Sequence, residues 1–166
     1  MGLALRSITA VILYGALISG GFGILNIDMA LVADLRLFLS TDSLKDLIEA
    51  QVEQGRITYL IFHGIDYLFI LVFYPLLQTI VLRLSKDRWF SRYIGMLCLG
   101  AGLCDVIENI ILDLSLFSYP MLYRWQSDLL WIVTPLKFLG IAVVVLYLIL
   151  YAVKLLVKRY KNSDTA

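Results

Sequence analysis

The most chemically informative residues of this sequence are polar and ionisable side chains that stand inside long apolar segments. A charged side chain in the hydrocarbon of a membrane costs at least about 2.5–3.5 kcal/mol, so it is expected to face protein or water and to mark a functional site. These residues recur at intervals of three, four or seven: Tyr59, His63, Asp66, Tyr67, Tyr74 and Gln78 in one segment; Asp105, Glu108, Asn109 and Asp113 in a second; Thr134 and Lys137 in a third. On α-helices these intervals place each set on one face, so three polar seams are predicted.

Asp105 and Glu108 are the candidates for acid/base catalysis, because they are one helical turn apart. Burial and the like-charged neighbour could keep one of the two carboxyl groups protonated, as a general acid requires. Asn109 and Lys137 would then orient a substrate or stabilise a developing charge. This reading predicts an intramembrane enzyme of the isomerase type.

The same residues also allow a purely structural interpretation. In it, Lys137 neutralises one carboxylate, His63 pairs with Asp66, and the network fixes the register of the helices. A metal site is a weaker alternative: His63 and Asp66, like Asp105 and Glu108, are spaced to put two ligands on one helical face. A single histidine and a competing lysine oppose it, so we predict neither a metal nor another cofactor.

The composition identifies the solvent in which these helices must fold. Of the 166 residues, 61% are hydrophobic and 16% are charged, whereas a soluble domain has about 45–50% apolar and about 25% charged residues. The formal net charge of +1 gives no reason to expect nucleic-acid binding. The chain is predicted to be one membrane domain whose partners are membrane lipids or, alternatively, another membrane protein subunit.

Four apolar segments are long enough to cross a hydrocarbon core about 30 Å thick. They cover about residues 8–27, 58–84, 93–116 and 128–157. The predicted fold class is therefore all-α: a four-helix transmembrane bundle formed by residues 1–166, with an additional amphipathic helix in the first non-cytoplasmic loop.

The additional helix is predicted at about residues 43–54. Its apolar residues, which share one face, are Leu44, Leu47, Ile48 and Val52. Asp42 or Ser43 is the predicted N-cap, and Gly55 is placed to end the helix. We expect it to lie against the mouth of the bundle or against the lipid headgroups.

Lys and Arg near the ends of the spans predict the orientation. Nine lie at the amino end, between the second and third spans or in the tail: Arg6, Arg83, Lys86, Arg88, Arg92, Lys154, Lys158, Arg159 and Lys161. Four lie in the two other connections: Arg36, Lys45, Arg56 and Arg124. Both termini are therefore predicted to be cytoplasmic, in a bacterial inner membrane or, as an alternative, a eukaryotic endomembrane.

The depth of the polar residues suggests one shared site. At 1.5 Å per helical residue, Asp66, Glu108 and Lys137 each lie about 12–14 Å from the outer end of their span. Three antiparallel helices would thus bring their charges to one level in the outer half of the bilayer.

A family resemblance rests on two short motifs of the second span. Residues 66–69 read DYLF and residues 73–75 read FYP, while Asp28 follows the first span. Together with the order of the helices and the long first loop, these motifs resemble the EXPERA domains of emopamil-binding-protein and sigma-2-receptor-like membrane proteins. The resemblance implies a membrane-accessible pocket for a sterol-like or cationic amphiphilic ligand, with Asp28 and Asp66 as partners for a cation. The chain is equally similar to small four-helix membrane proteins of prokaryotes.

The leading hypothesis is a binding or accessory protein whose polar pocket holds a lipid or small amphiphile. Its candidate binding or network residues are Asp28, Tyr59, His63, Asp66, Tyr67, Asn109, Thr134 and Lys137. The alternatives are the isomerase-type enzyme, with Asp105 and Glu108 as acid and base, and a proton relay or transport component.

Overall fold

A computed structural model describes residues 36–84 and 88–163, and the single positions Ile12, Gly15 and Val32. The two ranges form three helices, with no strand among the described residues. We number them α1 (Thr41–Leu84), α2 (Arg88–Ser118) and α3 (Arg124–Ser163). The predicted all-α fold class is confirmed.

The predicted first span falls largely outside the described residues. Ile12 and Gly15 are described and are helical. Asp28, the acidic residue predicted to follow that span, also lies outside the described part of the chain.

Three segments of these helices are long and apolar enough to cross a membrane: Gly55–Leu84, Trp89–Ser118 and Arg124–Val157. They contain the second, third and fourth predicted spans, begin three or four residues earlier than each of them and, for the third, end two residues later. At 30, 30 and 34 residues, each exceeds the roughly 20 residues that the hydrocarbon core requires. The chain is thus a helical membrane protein.

The predicted amphipathic helix is the first part of α1, residues 41–54. It ends at Gly55, whose φ of 131° and ψ of 101° interrupt the helical geometry. Only glycine adopts such angles without strain, because it has no β-carbon. No loop follows the break, so the amphipathic segment and the membrane span are joined at a kink.

The N-cap of α1 is Ser40 rather than the predicted Asp42 or Ser43. The Ser43 backbone N–H donates to Ser40 Oγ at 3.1 Å, and the two hydroxyls are 2.8 Å apart. The helix begins at Thr41, so the hydroxyl of the residue just before it is the one that reaches the third helical N–H. Asp42 lies in the first turn, where its charge is favourable beside the helix N-terminus.

The amphipathic segment packs against the bundle. Leu44, Leu47 and Ile48 are buried in a cluster with residues of all three helices: Tyr59, Phe62, Ile111, Leu112, Leu116 and Leu130. Val52 is partly buried against the same cluster. The segment therefore lies against the mouth of the bundle, one of the two predicted locations. We call this end of the bundle the capped end.

Helix α2 lies between α1 and α3 and approaches both closely. A β-carbon on Gly102 would lie 2.8 Å from the Tyr74 ring of α1. A β-carbon on Gly140 of α3 would lie 2.9 Å from the Ala101 β-carbon of α2. Small residues at these crossings allow the backbones to come together, as is common between membrane helices.

The kink gives the first testable prediction. We expect Gly55→Ala to lower the free energy of unfolding by about 1–3 kcal/mol, the usual cost of a residue held in a disallowed backbone conformation. The new β-carbon would also lie 3.2 Å from Thr58 Oγ1. Reversible unfolding in mixed detergent micelles would measure this difference.

Gly64→Ala is the matched control, because Gly64 is helical and a β-carbon there meets nothing within 4 Å. Equal stabilities of the two alanine variants would contradict the assigned role of Gly55.

Candidate functional site

The site is a buried polar network that α2 makes with both neighbouring helices. Its residues are His63, Asp66, Tyr67 and Tyr74 of α1, Asp105, Glu108, Asn109 and Asp113 of α2, and Thr134 and Lys137 of α3. The α2 residues recur every three or four positions, so successive turns present them as one stripe. The network consists of three groups along this stripe.

The first group is built around the Lys137 ammonium. Its Nζ lies 2.9 Å from Asp105 Oδ1 and also forms an ion pair with Glu108 Oε2. All three side chains are buried, so their charges are poorly screened by water. One lysine of α3 therefore holds two carboxylates of α2.

Hydroxyl groups of the flanking helices complete the first group. Tyr74 Oη donates to Asp105 Oδ2 at 2.8 Å, and Thr134 Oγ1 donates to Glu108 Oε1 at 2.5 Å. Each carboxylate thus contacts both an ammonium and a hydroxyl, the pairing that buried charge requires. The Tyr74 ring lies against Gly102, one turn from Asp105, so the small residue permits this contact.

The second group joins Asp66 to Asn109. Asn109 Nδ2 donates to Asp66 Oδ2 at 2.7 Å, and both side chains are buried, Asn109 completely. The remaining amide oxygen, Asn109 Oδ1, has no hydrogen-bond partner among the described residues. A buried acceptor without a hydrogen bond is costly, so a donor beside Asn109 Oδ1 would be favourable.

The third group lies next to the cluster of the capped end. His63 Nδ1 is 2.6 Å from Asp113 Oδ1, and Tyr67 Oη donates to Asp113 Oδ2 at 2.9 Å. The structural interpretation had paired His63 with Asp66 instead. His63 and Asp66 share one helix, whereas Asp113 faces His63 from the neighbouring helix at the same level.

Eight of the predicted site residues come together in this network: His63, Asp66, Tyr67, Asp105, Glu108, Asn109, Thr134 and Lys137. Tyr59 is buried in the apolar cluster of the capped end, and Asp28 is outside the described residues. Tyr74 and Asp113 belong to the network but were not among the candidate site residues. Both residues lie on the predicted polar seams, and that position was the sequence feature that would have identified them as site residues.

The network has more acidic side chains than basic ones among the described residues. Four carboxylates (Asp66, Asp105, Glu108 and Asp113) face one lysine and one histidine among the described residues. Each of the four carboxylates has a hydrogen-bond or ion-pair partner. The buried acceptor that has none among the described residues is Asn109 Oδ1.

The described residues contain no group of three His, Cys, Asp or Glu side chains that could hold a metal ion. Between Asp105 and Glu108, the position that a cation would favour is held by the Lys137 ammonium. Cys98 and Cys104 are free thiols on α2, outside the groups described above.

Fold and site together define a helical membrane protein with a buried ion-pair network. Comparisons with protein-family models, curated proteins and solved structures find no match. The resemblance to EXPERA domains stays a prediction.

The ion pairs of Lys137 give the second prediction. Removing one partner of a buried ion pair costs about 3–5 kcal/mol, because the other charge is left uncompensated. We expect Lys137→Met to lower the free energy of unfolding by about this amount, measured in mixed micelles. Adding Asp105→Asn and Glu108→Gln to this variant should restore most of the loss.

Lys154→Met is the matched control, because Lys154 lies on the same helix but is exposed. The assigned network is contradicted if Lys137→Met is as stable as Lys154→Met.

Proposed function

We propose that this protein is a multi-pass membrane protein that binds a lipid or small amphiphile at its polar network. In this proposal both termini are cytoplasmic and the network lies in the outer half of the bilayer. The ligand presents hydrogen-bond donors or a positive charge to the acidic side chains of α1 and α2, while its apolar part remains among the helices and the lipid.

The observation that carries the proposal is the buried amide oxygen of Asn109. Asn109 is completely buried, and its Oδ1 has no hydrogen-bond partner among the described residues, although an unsatisfied buried acceptor is costly. The same amide group donates through Nδ2 to the Asp66 carboxylate of the neighbouring helix. A ligand with a donor group would satisfy the amide oxygen beside that carboxylate.

The proposed topology is supported by the ends of the helices. Trp89 and Tyr93 are exposed near the start of α2, and Trp125 and Trp131 are exposed near the start of α3. Tryptophan and tyrosine favour the two membrane–water interfaces. The excess of Lys and Arg on the side of the termini supports the same orientation.

The isomerase hypothesis receives less support from the geometry. It requires one carboxyl group of the Asp105–Glu108 pair to carry a proton because the other repels its charge. The Lys137 ammonium contacts both groups, so the two carboxyl groups do not face each other without a cation beside them. Binding, rather than acid/base catalysis, is the function that this arrangement supports best.

A proton relay is the second candidate, and a specific observation favours it. Asp105, Glu108 and Asp113 lie on successive turns of α2, and Asp113 contacts His63 at the capped end. At 1.5 Å per residue, the rise along the helix is about 4.5 Å from Asp105 to Glu108 and about 7.5 Å from Glu108 to Asp113. Intervening hydroxyls or water can bridge these distances.

Native mass spectrometry tests the binding proposal. The wild-type protein, purified in mild detergent, should retain a lipid or amphiphile that is removed from Asp66→Asn and Glu108→Gln. A loss of about tenfold in occupancy corresponds to the removal of one charge-assisted hydrogen bond. Asp46→Asn, which changes an exposed acid of the amphipathic segment, should retain the ligand.

Circular dichroism and gel filtration of the same variants separate binding from folding. If Asp66→Asn and Glu108→Gln keep the fold and lose the ligand, the proposal holds. If they unfold, or if they keep the fold and the ligand, the network is structural and the proposal is wrong.

Flux measurements in sealed liposomes test the proton relay. The binding function predicts no proton flux above that of protein-free vesicles when a pH gradient is applied. A flux that disappears in Asp113→Asn would support the relay and count against binding as the principal function.

A further inference from the structure

A cleft at the capped end lies apart from the polar network and has no residue in common with it. Its volume is about 420 Å³, within the range of about 300–1,000 Å³ found for small-ligand pockets. The residues that give it its chemical character are Leu39, Asp42, Arg124, Ser127, Asp128 and Trp131.

The cleft is preformed, because its two walls are joined to one another. One wall is the start of α1 and the residues before it, and the other is the first two turns of α3. Thr41 Oγ1 and Ser127 Oγ are 2.7 Å apart across them. Beside this hydrogen bond, the rings of Phe38 and Trp131 lie 5.1 Å apart between centroids. Binding here therefore requires little movement of one wall relative to the other.

The charges of the cleft favour a ligand that has both signs of charge. Arg124 Nε lies 3.7 Å from Asp128 Oδ2, and the two side chains are 87% and 63% exposed. Such a solvated pair contributes little, so both groups can contact a ligand at small cost. Asp42 adds a second carboxylate, and the two acids together disfavour a purely anionic ligand.

The position of the cleft indicates where the ligand comes from. Arg124 is the first residue of a candidate membrane span, so the cleft opens at one end of the membrane-crossing region. Phe38, Trp125 and Trp131 are exposed beside it, as aromatic residues are at the headgroup level. A phospholipid can place its headgroup between these walls and its chains along the exposed rings.

We propose that this cleft binds the headgroup of a phosphoethanolamine lipid. Arg124 binds the phosphate, and Asp42 and Asp128 accept hydrogen bonds from the primary ammonium. Arginine suits the phosphate, and carboxylates suit the ammonium, because hydrogen bonds to charged groups are stronger than those between neutral groups. This inference is independent of the function proposed for the polar network.

Lipid competition in nanodiscs tests the assignment. The full chain is reconstituted with equal parts of phosphatidylethanolamine, phosphatidylglycerol and phosphatidylcholine, extracted with mild detergent, and analysed by native mass spectrometry. We expect phosphatidylethanolamine to be retained about tenfold over each of the other two lipids, equivalent to one charge-assisted hydrogen bond. Equal retention of phosphatidylglycerol would overturn the assignment.

Variants locate the binding within the cleft. Asp42→Asn combined with Asp128→Asn should abolish the preference for phosphatidylethanolamine, and Arg124→Gln should reduce the retention of all three lipids. Asp46→Asn and Arg56→Gln are the matched controls outside the cleft and should behave as the wild type. A double variant that folds and keeps the preference would show that the site is elsewhere.

A soluble headgroup distinguishes a lipid ligand from a free phosphate ester. Glycerophosphoethanolamine, added at the same concentration as the lipid, should not displace the bound lipid. The soluble compound lacks the acyl chains that contact Phe38 and Trp131. Displacement at equal concentration would contradict the assignment of a membrane lipid.

Discussion

The structure depends on one constraint: charge inside a membrane protein must be paired where it is buried. Lys137 meets this constraint by contacting Asp105 and Glu108 together, while Tyr74 and Thr134 occupy the remaining carboxylate oxygens. These contacts run from α1 through α2 to α3. They fix which faces of the helices meet, because a rotation of α2 by even one residue would separate the carboxylates from their partners. The close approach of α1 at Gly102 serves the same arrangement.

The capped end adds a second layer to this arrangement. The amphipathic segment reaches the bundle because Gly55 takes up angles that other residues avoid. Its leucines pack beside Phe62 and Leu112, the sequence neighbours of His63 and Asp113. An apolar cover therefore borders the third group of the network. The start of the same segment and the residues just before it form one wall of the cleft.

Helical periodicity predicted the part of this architecture that lies along single helices. The three polar seams, the apolar face of residues 41–54 and the break at Gly55 all follow from spacing within one segment. Contacts between helices did not follow, because spacing does not tell which residues of two helices are level with one another. For this reason spacing alone pairs His63 with Asp66, whereas the structure places Asp113 of the neighbouring helix beside His63. The cleft escaped prediction for the same reason, since Thr41 and Ser127, which join its walls, are 86 residues apart.

The claim that a ligand satisfies the buried Asn109 amide oxygen can be tested by an experimental density map of the protein purified from its native membrane. The account predicts density of a non-protein group between the helices, within hydrogen-bond distance of Asn109 Oδ1 and beside the Asp66 carboxylate. A side chain of residues 8–27 hydrogen-bonded to Asn109 Oδ1 would contradict it. The network would then be complete within the protein, and its role would be to hold the helices together.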